Sequence, residues 1–340
     1  MTHALGLPAL AMPPDEWLLI AALVAYAVAA IWLLLYFFSQ DERHRRIGAP
    51  AAIVGCAAQF LQLGARYAET HIWPLLNLYG SLSLFSAMAV AIFIVFAYRY
   101  RVWFAGGFVV AIAAIFLAYG VTWNEGVMPP VPSLQSYWAK IHVPLVVSSY
   151  AAFLLSFVLS LLYLLKHYAE QRYRARSLQM AAAAPGAGGV ALDLEETAAS
   201  GASMQASAVL GEIRHDTPAI DAAAEAGDPI AGWLASLPSL ATLDVLTYRA
   251  VAVGLPLLTL GIITGAMWAR EAWGAYWQWD PKETAALFSW IIYASYMHLH
   301  TRNAWRGYRT AWVSVVGFVS IIFCYLGVNI WISGLHSYKV

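Results

Sequence analysis

The sequence predicts an all-α polytopic integral membrane protein of eight transmembrane helices, with both termini on the outer, periplasmic side. Three observations predict it: 61% of residues are hydrophobic and only 11% charged, apolar stretches of membrane-crossing length recur along the chain, and Lys and Arg are distributed one-sidedly. An average soluble domain carries roughly 25% charged residues, so composition alone excludes a water-soluble fold. The 19 basic and 19 acidic residues cancel. That balance leaves no global basic field for nucleic acid and no acidic one for calcium or basic partners.

About 20 apolar residues cross a hydrocarbon core of roughly 30 Å, and on that measure eight spans fall near 17–38, 50–65, 79–98, 102–120, 144–165, 249–268, 284–301 and 310–333. Asp15 and Glu16 precede the first stretch where a signal peptide would be basic, and no small-residue cleavage site follows Phe38, so Trp17 onward reads as a retained span. Three regions follow: five spans in 1–165, a cytoplasmic loop at 166–248, and three spans in 249–340 that include a loop at 270–283. From Met180 to Ala226 the central loop is rich in Ala, Gly and Ser, a composition that reads as a flexible connection without a core of its own.

Cytoplasmic loops carry the Lys/Arg excess. The loops of one face hold Arg43, Arg45, Arg46, Arg99, Arg101, the cluster from Lys166 to Arg249, and Arg302, Arg306 and Arg309, which makes 14 of the 19 cations. Arg66, Lys140, Arg270, Lys282 and Lys339 remain for the other face. This bias places the central loop on the cytoplasmic side of what reads as a bacterial inner membrane, and the 270–283 loop on its outer side. Cys56 and Cys324 each lie in an apolar run, so the chain offers neither a disulfide framework nor a CxxC pair, and thiol chemistry must come from a partner.

In that orientation His142, just before the fifth span, and His336, just after the eighth, share the outer face with Trp273-Gly-Ala-Tyr276-Trp277-Gln-Trp279-Asp280. Two imidazoles beside a plate of aromatic rings are the groups a haem needs: axial nitrogens for iron and flat apolar surface for the macrocycle. Trp and Tyr also gather at membrane interfaces because their rings are amphipathic. Three Trp and a Tyr within seven residues of a Gly-containing loop exceed what a belt requires. Asp280 counts with the loop as a haem contact, yet Asp280-Pro-Lys-Glu283 also reads as a helix start, with Asp as N-cap, Pro at the first position and Glu closing a capping box.

His298 and His300 lie late in the seventh span, where an ionisable side chain needs a partner. Two residues apart on a helix, they point about 200° from each other, and His298 sits roughly 27 Å of helix from Asp280. His298 therefore implies a second, deeper site, while His300 reads as an interface residue. His71 is a third outer candidate whose role stays open; His3, His44, His167 and His215 have no matching partner in the sequence. Arg66, Lys140, Arg270 and Lys282 suit haem propionates and equally suit snorkelling anchors.

Trp273-Gly-x-Tyr-Trp-x-Trp-Asp-Pro-Lys-Glu resembles the WWD signature of haem-handling proteins of cytochrome c maturation. The resemblance runs through Lys140-Ile-His142-Val-Pro144, Leu243-Asp-x-x-x-Tyr-Arg249, Gly261-Ile-Ile-Thr-Gly265-Ala-Met-Trp268, Tyr296-Met-His298, Gly334-Leu-His336-Ser-Tyr338 and Pro74-Leu-Leu-Asn77-Leu-Tyr79. Within the group, span number and length resemble the CcsA (ResC) family of the system II cytochrome c synthetase; CcmC proteins are shorter and CcmF proteins longer. Two features depart from it: Gly80 stands where the family commonly has Glu, and the loop from Arg172 to Ala241 is longer than usual.

The resemblance implies that His142 and His336 are the outer axial ligands of the haem iron and the catalytic pair, flanking Trp273, Tyr276, Trp277, Trp279 and Asp280. It implies that His298 supplies one ligand of a haem within the membrane, the other coming from the partner subunit CcsB (ResB). The activity implied is that of a haem–apocytochrome c ligase, incomplete alone, which attaches haem b to CxxCH motifs of apocytochromes c and leaves open whether it also exports haem. Thiol-reducing proteins would act indirectly. A CcmC-like haem exporter, a membrane bis-His electron-transfer cytochrome and a plain transporter are the competing classes; the second usually pairs histidines from two helices, and the third predicts internal repeats not evident here.

Overall fold

The structure, a computed structural model, describes residues 13–124, 126, 132–183 and 218–332, and every regular element among them is a helix. In chain order these are α1 (Pro14–Ser39), α2 (Glu42–Thr70), α3 (Leu78–Tyr100), α4 (Gly106–Val121), α5 (Tyr137–Ala183), α6 (Pro218–Glu225), α7 (Pro229–Ser236), α8 (Leu240–Trp273), α9 (Pro281–His300), α10 (Tyr308–Ile322) and α11 (Val328–Trp331). A 3-10 turn, Trp103–Ala105, leads into α4, and a π-helical turn, Phe323–Gly327, joins α10 to α11. Seven helical stretches among the described residues are long and apolar enough to cross a membrane. The chain is thus a multi-pass membrane protein by helix length and composition. Helix α9, which holds the seventh predicted span, has the length but not the hydropathy, because Ser289, Trp290, Tyr293, Tyr296, His298 and His300 dilute its apolar residues.

The chain divides into two compact units, Met1–Leu161 with Asp244–Val340, and Leu162–Leu243. In the second unit the segment read as a loop carries helices α6 and α7. Asp228 caps α7 by accepting from the Ile230 and Ala231 amides and receives the Tyr173 hydroxyl at 2.9 Å. The Lys166 ammonium donates to the carbonyls of Leu237 and Pro238 at 2.8 and 3.0 Å, so Lys166 and Tyr173 of α5 hold this segment.

In the first unit the short α1–α2 connection is fixed by Gln40 in the left-handed region (φ 55°) and Asp41 as N-cap of α2. Leu33 and Tyr26 of α1 lie on Gly48 and Gly55 of α2, where a side chain would collide. A buried polar seam stitches α2 to α3: Gln62 donates to the Tyr79 hydroxyl, Ser83 to the Gln62 carbonyl oxygen, and Gln59 to the Ser83 carbonyl, at 3.0 to 3.1 Å. At its end Arg66 donates to Asp15 at 3.3 Å and to Asn124 at 3.0 Å, with its guanidinium over the Tyr79 ring. Arg66 is therefore neutralised within the fold. Gly80 is required locally, since a Cβ there would lie 1.6 Å from the Pro74 carbonyl oxygen; the 74–80 segment closes against it.

Helices α5, α8, α9 and α10 pack through aromatic rings seated on glycines. Phe153 of α5 stacks on Tyr293 of α9 (centroids 3.6 Å apart, planes within 10°), with Gly254 of α8 behind Phe153 and Gly317 of α10 against Tyr293. Seven residues further along α8, Gly261 meets Val146, seven residues back along α5. That fixes the antiparallel register of the two helices, and small residues at such positions let helix backbones approach closely. The Trp290 indole donates to the Thr259 hydroxyl at 2.8 Å, tying α9 to α8, and the Tyr325 hydroxyl donates to Ser81 at 3.1 Å, tying the π-helical turn to α3.

Candidate functional site

His142 sits near the start of α5, held in place by two hydrogen bonds that tie the preceding turn to the end of α8. The Trp268 indole donates to the Ser133 carbonyl at 2.7 Å, and the Ser136 hydroxyl donates to Glu271 at 2.8 Å. Around them Leu76, Ala139 and Trp268 form a buried apolar cluster with Trp73, Leu134, Trp138 and Trp273 packed against it.

The ring nitrogen Nδ1 of His142 lies 2.7 Å from the carbonyl oxygen of Gly261. A carbonyl can only accept, so Nδ1 carries the proton and donates, and Nε2 keeps its lone pair. Metal-ligating histidines are commonly oriented in this way, by donating their other ring N–H to a fixed acceptor.

An open-mouthed cavity lies beside the imidazole. Its walls include His142, Trp268, Trp273, Tyr276, Trp277 and Lys282, with Tyr150 and Cys324 among the other lining residues. Predominantly apolar and aromatic walls with a few placed polar groups are typical of ligand pockets. These walls offer a planar macrocycle flat aromatic surface, a nitrogen lone pair from His142 and an ammonium from Lys282, with the Glu283 carboxylate also on the wall.

The 274–280 loop is shaped by its own polar groups. Gly274 takes φ +83° just past α8, and its carbonyl accepts from Arg270, whose guanidinium also lies over the Tyr276 ring. The carboxylate of Glu283 accepts from the amides of Gln278 and Asp280 at 2.8 and 3.2 Å, while Asp280 accepts from the Lys282 amide at 3.1 Å. This is the capping box expected from the sequence, with Pro281 in the first turn. The loop's aromatic residues divide accordingly. Trp273, Tyr276 and Trp277 line the cavity; Trp279 is 69% exposed, turned out by a positive φ of 56° with its edge against Trp277. Asp280 is buried as the cap and does not line the cavity.

Of the remaining sequence candidates, His336 lies outside the described residues. His71 ends α2 in the left-handed region, donating its amide to the Tyr67 carbonyl, and is not among the cavity residues. His298 and His300 separate as the helical period requires. His300 is enclosed, with Nε2 3.0 Å from the Asp244 carboxylate and its ring stacked on Tyr248 and Tyr296; Arg306 reaches the same carboxylate oxygen at 2.9 Å. His298 is exposed on the outer surface of α9. The interface residue expected at 300 is thus hydrogen-bonded to the carboxylate that Arg306 pairs with, and 298 carries the accessible imidazole.

Sequence reasoning missed Trp268, Tyr150 and the Gly261 carbonyl as parts of this site. Gly261 and Gly265 form a small-xxx-small pair with Trp268 on the same face three residues on, a pattern that marks a close helix contact, but nothing in it names the partner helix.

Residues 75–336 match the family of cytochrome c assembly proteins. Over nearly their whole lengths the chain resembles cytochrome c biogenesis proteins CcsA: that of Gloeobacter violaceus is 35% identical, with 93% of each chain covered, and that of Nostoc punctiforme 34%, covering 92% of this chain and 95% of the relative. The CcsA of Trieres chinensis is 32% identical, covering 94% and 95%. Among solved structures, the cytochrome c haem lyase CcmF shares the fold, with a TM-score of 0.57 at 14% identity; the match takes in 96% of this chain but only 49% of that one. A multi-pass helical chain with the tryptophan loop folded beside His142, matched along almost its full length by these relatives, belongs to the CcsA family of cytochrome c biogenesis proteins.

Proposed function

We propose that this chain binds haem b in the cavity beside His142 and, together with a CcsB (ResB) subunit, presents it for covalent attachment to the CxxCH motif of apocytochromes c. The observation that carries the reading is the hydrogen bond from Nδ1 of His142 to the Gly261 carbonyl, which leaves Nε2 as a nitrogen donor at a cavity walled by Trp273, Tyr276 and Trp277.

In this reading Nε2 of His142 takes one axial position on the iron and His336 the other. The three aromatic side chains supply flat apolar surface to the macrocycle, Lys282 pairs with a propionate, and Trp279 and Asp280 shape the loop. Haem carries the reactive vinyl groups; the protein's part is to hold them where two thiols can arrive, and such positioning lowers a barrier without any acid or base at the reacting atoms. Each cysteine S–H adds across a vinyl C=C, sulfur to one carbon and hydrogen to the other, so the addition needs no external oxidant. One axial histidine then yields to the histidine of CxxCH.

Helix α9 completes eight spans, both termini lie outside the inner membrane, residues 166–248 lie in the cytoplasm, and the 270–283 loop faces the periplasm. The Lys/Arg bias supports that orientation. His298 supplies one ligand of a second haem, with the other from CcsB, which accords with its exposed position on α9.

The test is the visible spectrum of the purified chain beside His142→Ala, His336→Ala and His298→Ala, each with and without co-expressed CcsB. Low-spin haem that falls with either outer variant, plus a second portion that needs both CcsB and His298, is the expected result. A spectrum indifferent to all three substitutions would overturn the ligand assignments.

A further inference from the structure

The glycine register between α8 and α5 has a third member. Gly254 faces Phe153, Gly261 faces Val146, and Gly265 faces His142; a Cβ on Gly265 would lie 2.8 Å from both Cε1 and Nδ1 of the imidazole. At the first two positions the glycine gives up space to a ring or branched side chain of the helix core. At the third it gives up space to His142, the one histidine on the cavity wall among the described residues.

The imidazole is therefore held by three groups of α8. The Gly261 carbonyl receives its Nδ1 proton, the gap over Gly265 admits the ring edge, and Trp268, with centroid 5.6 Å away and plane tilted by 37°, bounds it. Trp268 is itself pinned by its indole bond to Ser133. A ring anchored at one nitrogen still turns about that bond unless other contacts limit it, and here Gly265 at its edge and Trp268 beside it do so.

We infer that Gly265 is a positioning residue: the absence of its side chain sets the rotation of the His142 ring and thereby the orientation in which Nε2 meets the iron. The inference rests on His142 being a ligand, and it adds that α8, not α5, determines the geometry of ligation. Adding one methyl at Gly265 displaces the ring, and because Nδ1 is one of the two atoms struck, it disturbs the bond to the Gly261 carbonyl as well. Loss of an outer partner of a metal-bound histidine typically costs about 10- to 100-fold in affinity.

The experiment uses the full-length chain in detergent, comparing wild type, Gly265→Ala, Gly254→Ala and His142→Ala for haem content, visible bands and the electron paramagnetic resonance of the oxidised haem. Gly254→Ala is the packing control, because its Cβ meets Phe153 at 2.6 Å, a similar collision in the same helix pair away from the imidazole. We expect Gly265→Ala to lose about tenfold in haem affinity and to show altered low-spin g-values in the haem it keeps, while Gly254→Ala keeps the wild-type spectrum. Equal spectra for Gly265→Ala and wild type, or equal changes in the two glycine variants, would overturn the inference. If Gly265→Ala fails to accumulate, Trp268→Phe reads the same confinement: shifted g-values support it, and unchanged ones overturn it. Should His142→Ala itself leave the haem untouched, it is the ligand reading that fails.

Discussion

The two ends of α9 each place a histidine near a family motif, yet they are built differently. At the first end the Asp280–Glu283 cap folds the tryptophan loop toward His142, and the chain supplies the walls, the donor atom and the acceptor that orients it. At the second end His300 is buried against Asp244, Tyr248 and Tyr296 while His298, two residues away, faces outward. In the proposed reading the first end is a formed site and the second is half of one. An imidazole on the outer surface of a membrane helix acquires walls only from another protein or from lipid, whereas a confined one is pre-organised before any ligand arrives.

Removing His142 tests this contrast most severely. His142→Ala deletes the donor and should reduce the haem that co-purifies with the chain at least tenfold, by the affinity scale of even outer-shell partners, read from the Soret band against protein. Retained haem would mean that the enclosed end is not where haem sits.

His298→Ala should act only on the portion of haem that appears with CcsB and leave the fraction that depends on His142 unchanged. Equal loss from both fractions would show that the two ends are one site. Helix length argues against that, since the roughly 27 Å between His298 and the loop cannot be bridged by a single iron.

A smaller effect is expected from Asp244→Ala, which leaves His300 and Arg306 without their shared carboxylate. Unmaking hydrogen bonds to a buried group costs about 1–3 kcal/mol, and the half-exposed Arg306 lowers its share. Thermal unfolding in detergent should show the loss, with the His142-dependent haem spectrum intact. A changed spectrum would couple the two ends. Asp280→Ala should matter least to stability, at about 1 kcal/mol for a lost N-cap, yet it frees the loop. A modest rise in haem dissociation rate without loss of the absorbance maximum is the expected sign.

Much of this was legible in the sequence, and the reasons are local. The capping box was readable because its hydrogen bonds join residues within four positions, and Asp280 and Glu283 make them as the motif requires. The divergence of His298 and His300 follows from 100° per residue; which of the two would be enclosed does not, because that depends on where Asp244 lies after α8 docks. Helices α6 and α7 were hidden by composition, since an Ala-rich run reads as low complexity until Asp228 and Lys166 are seen to anchor it.

By itself the sequence determined the helical character, the membrane-length apolar runs, the one-sided cations and the cluster of aromatic residues with a capped helix behind it. All of these depend on residues near in the chain and on the periods of the backbone. Only the tertiary structure decided which nitrogen of His142 is protonated, that Tyr276 lines the cavity while Trp279 turns away, and that Arg66 is spent on Asp15 and Asn124. These outcomes turn on the register between helices distant in sequence. A shift of one residue in the pairing that sets Gly254, Gly261 and Gly265 against Phe153, Val146 and His142 would move the imidazole off its acceptor, and no local pattern fixes such a register.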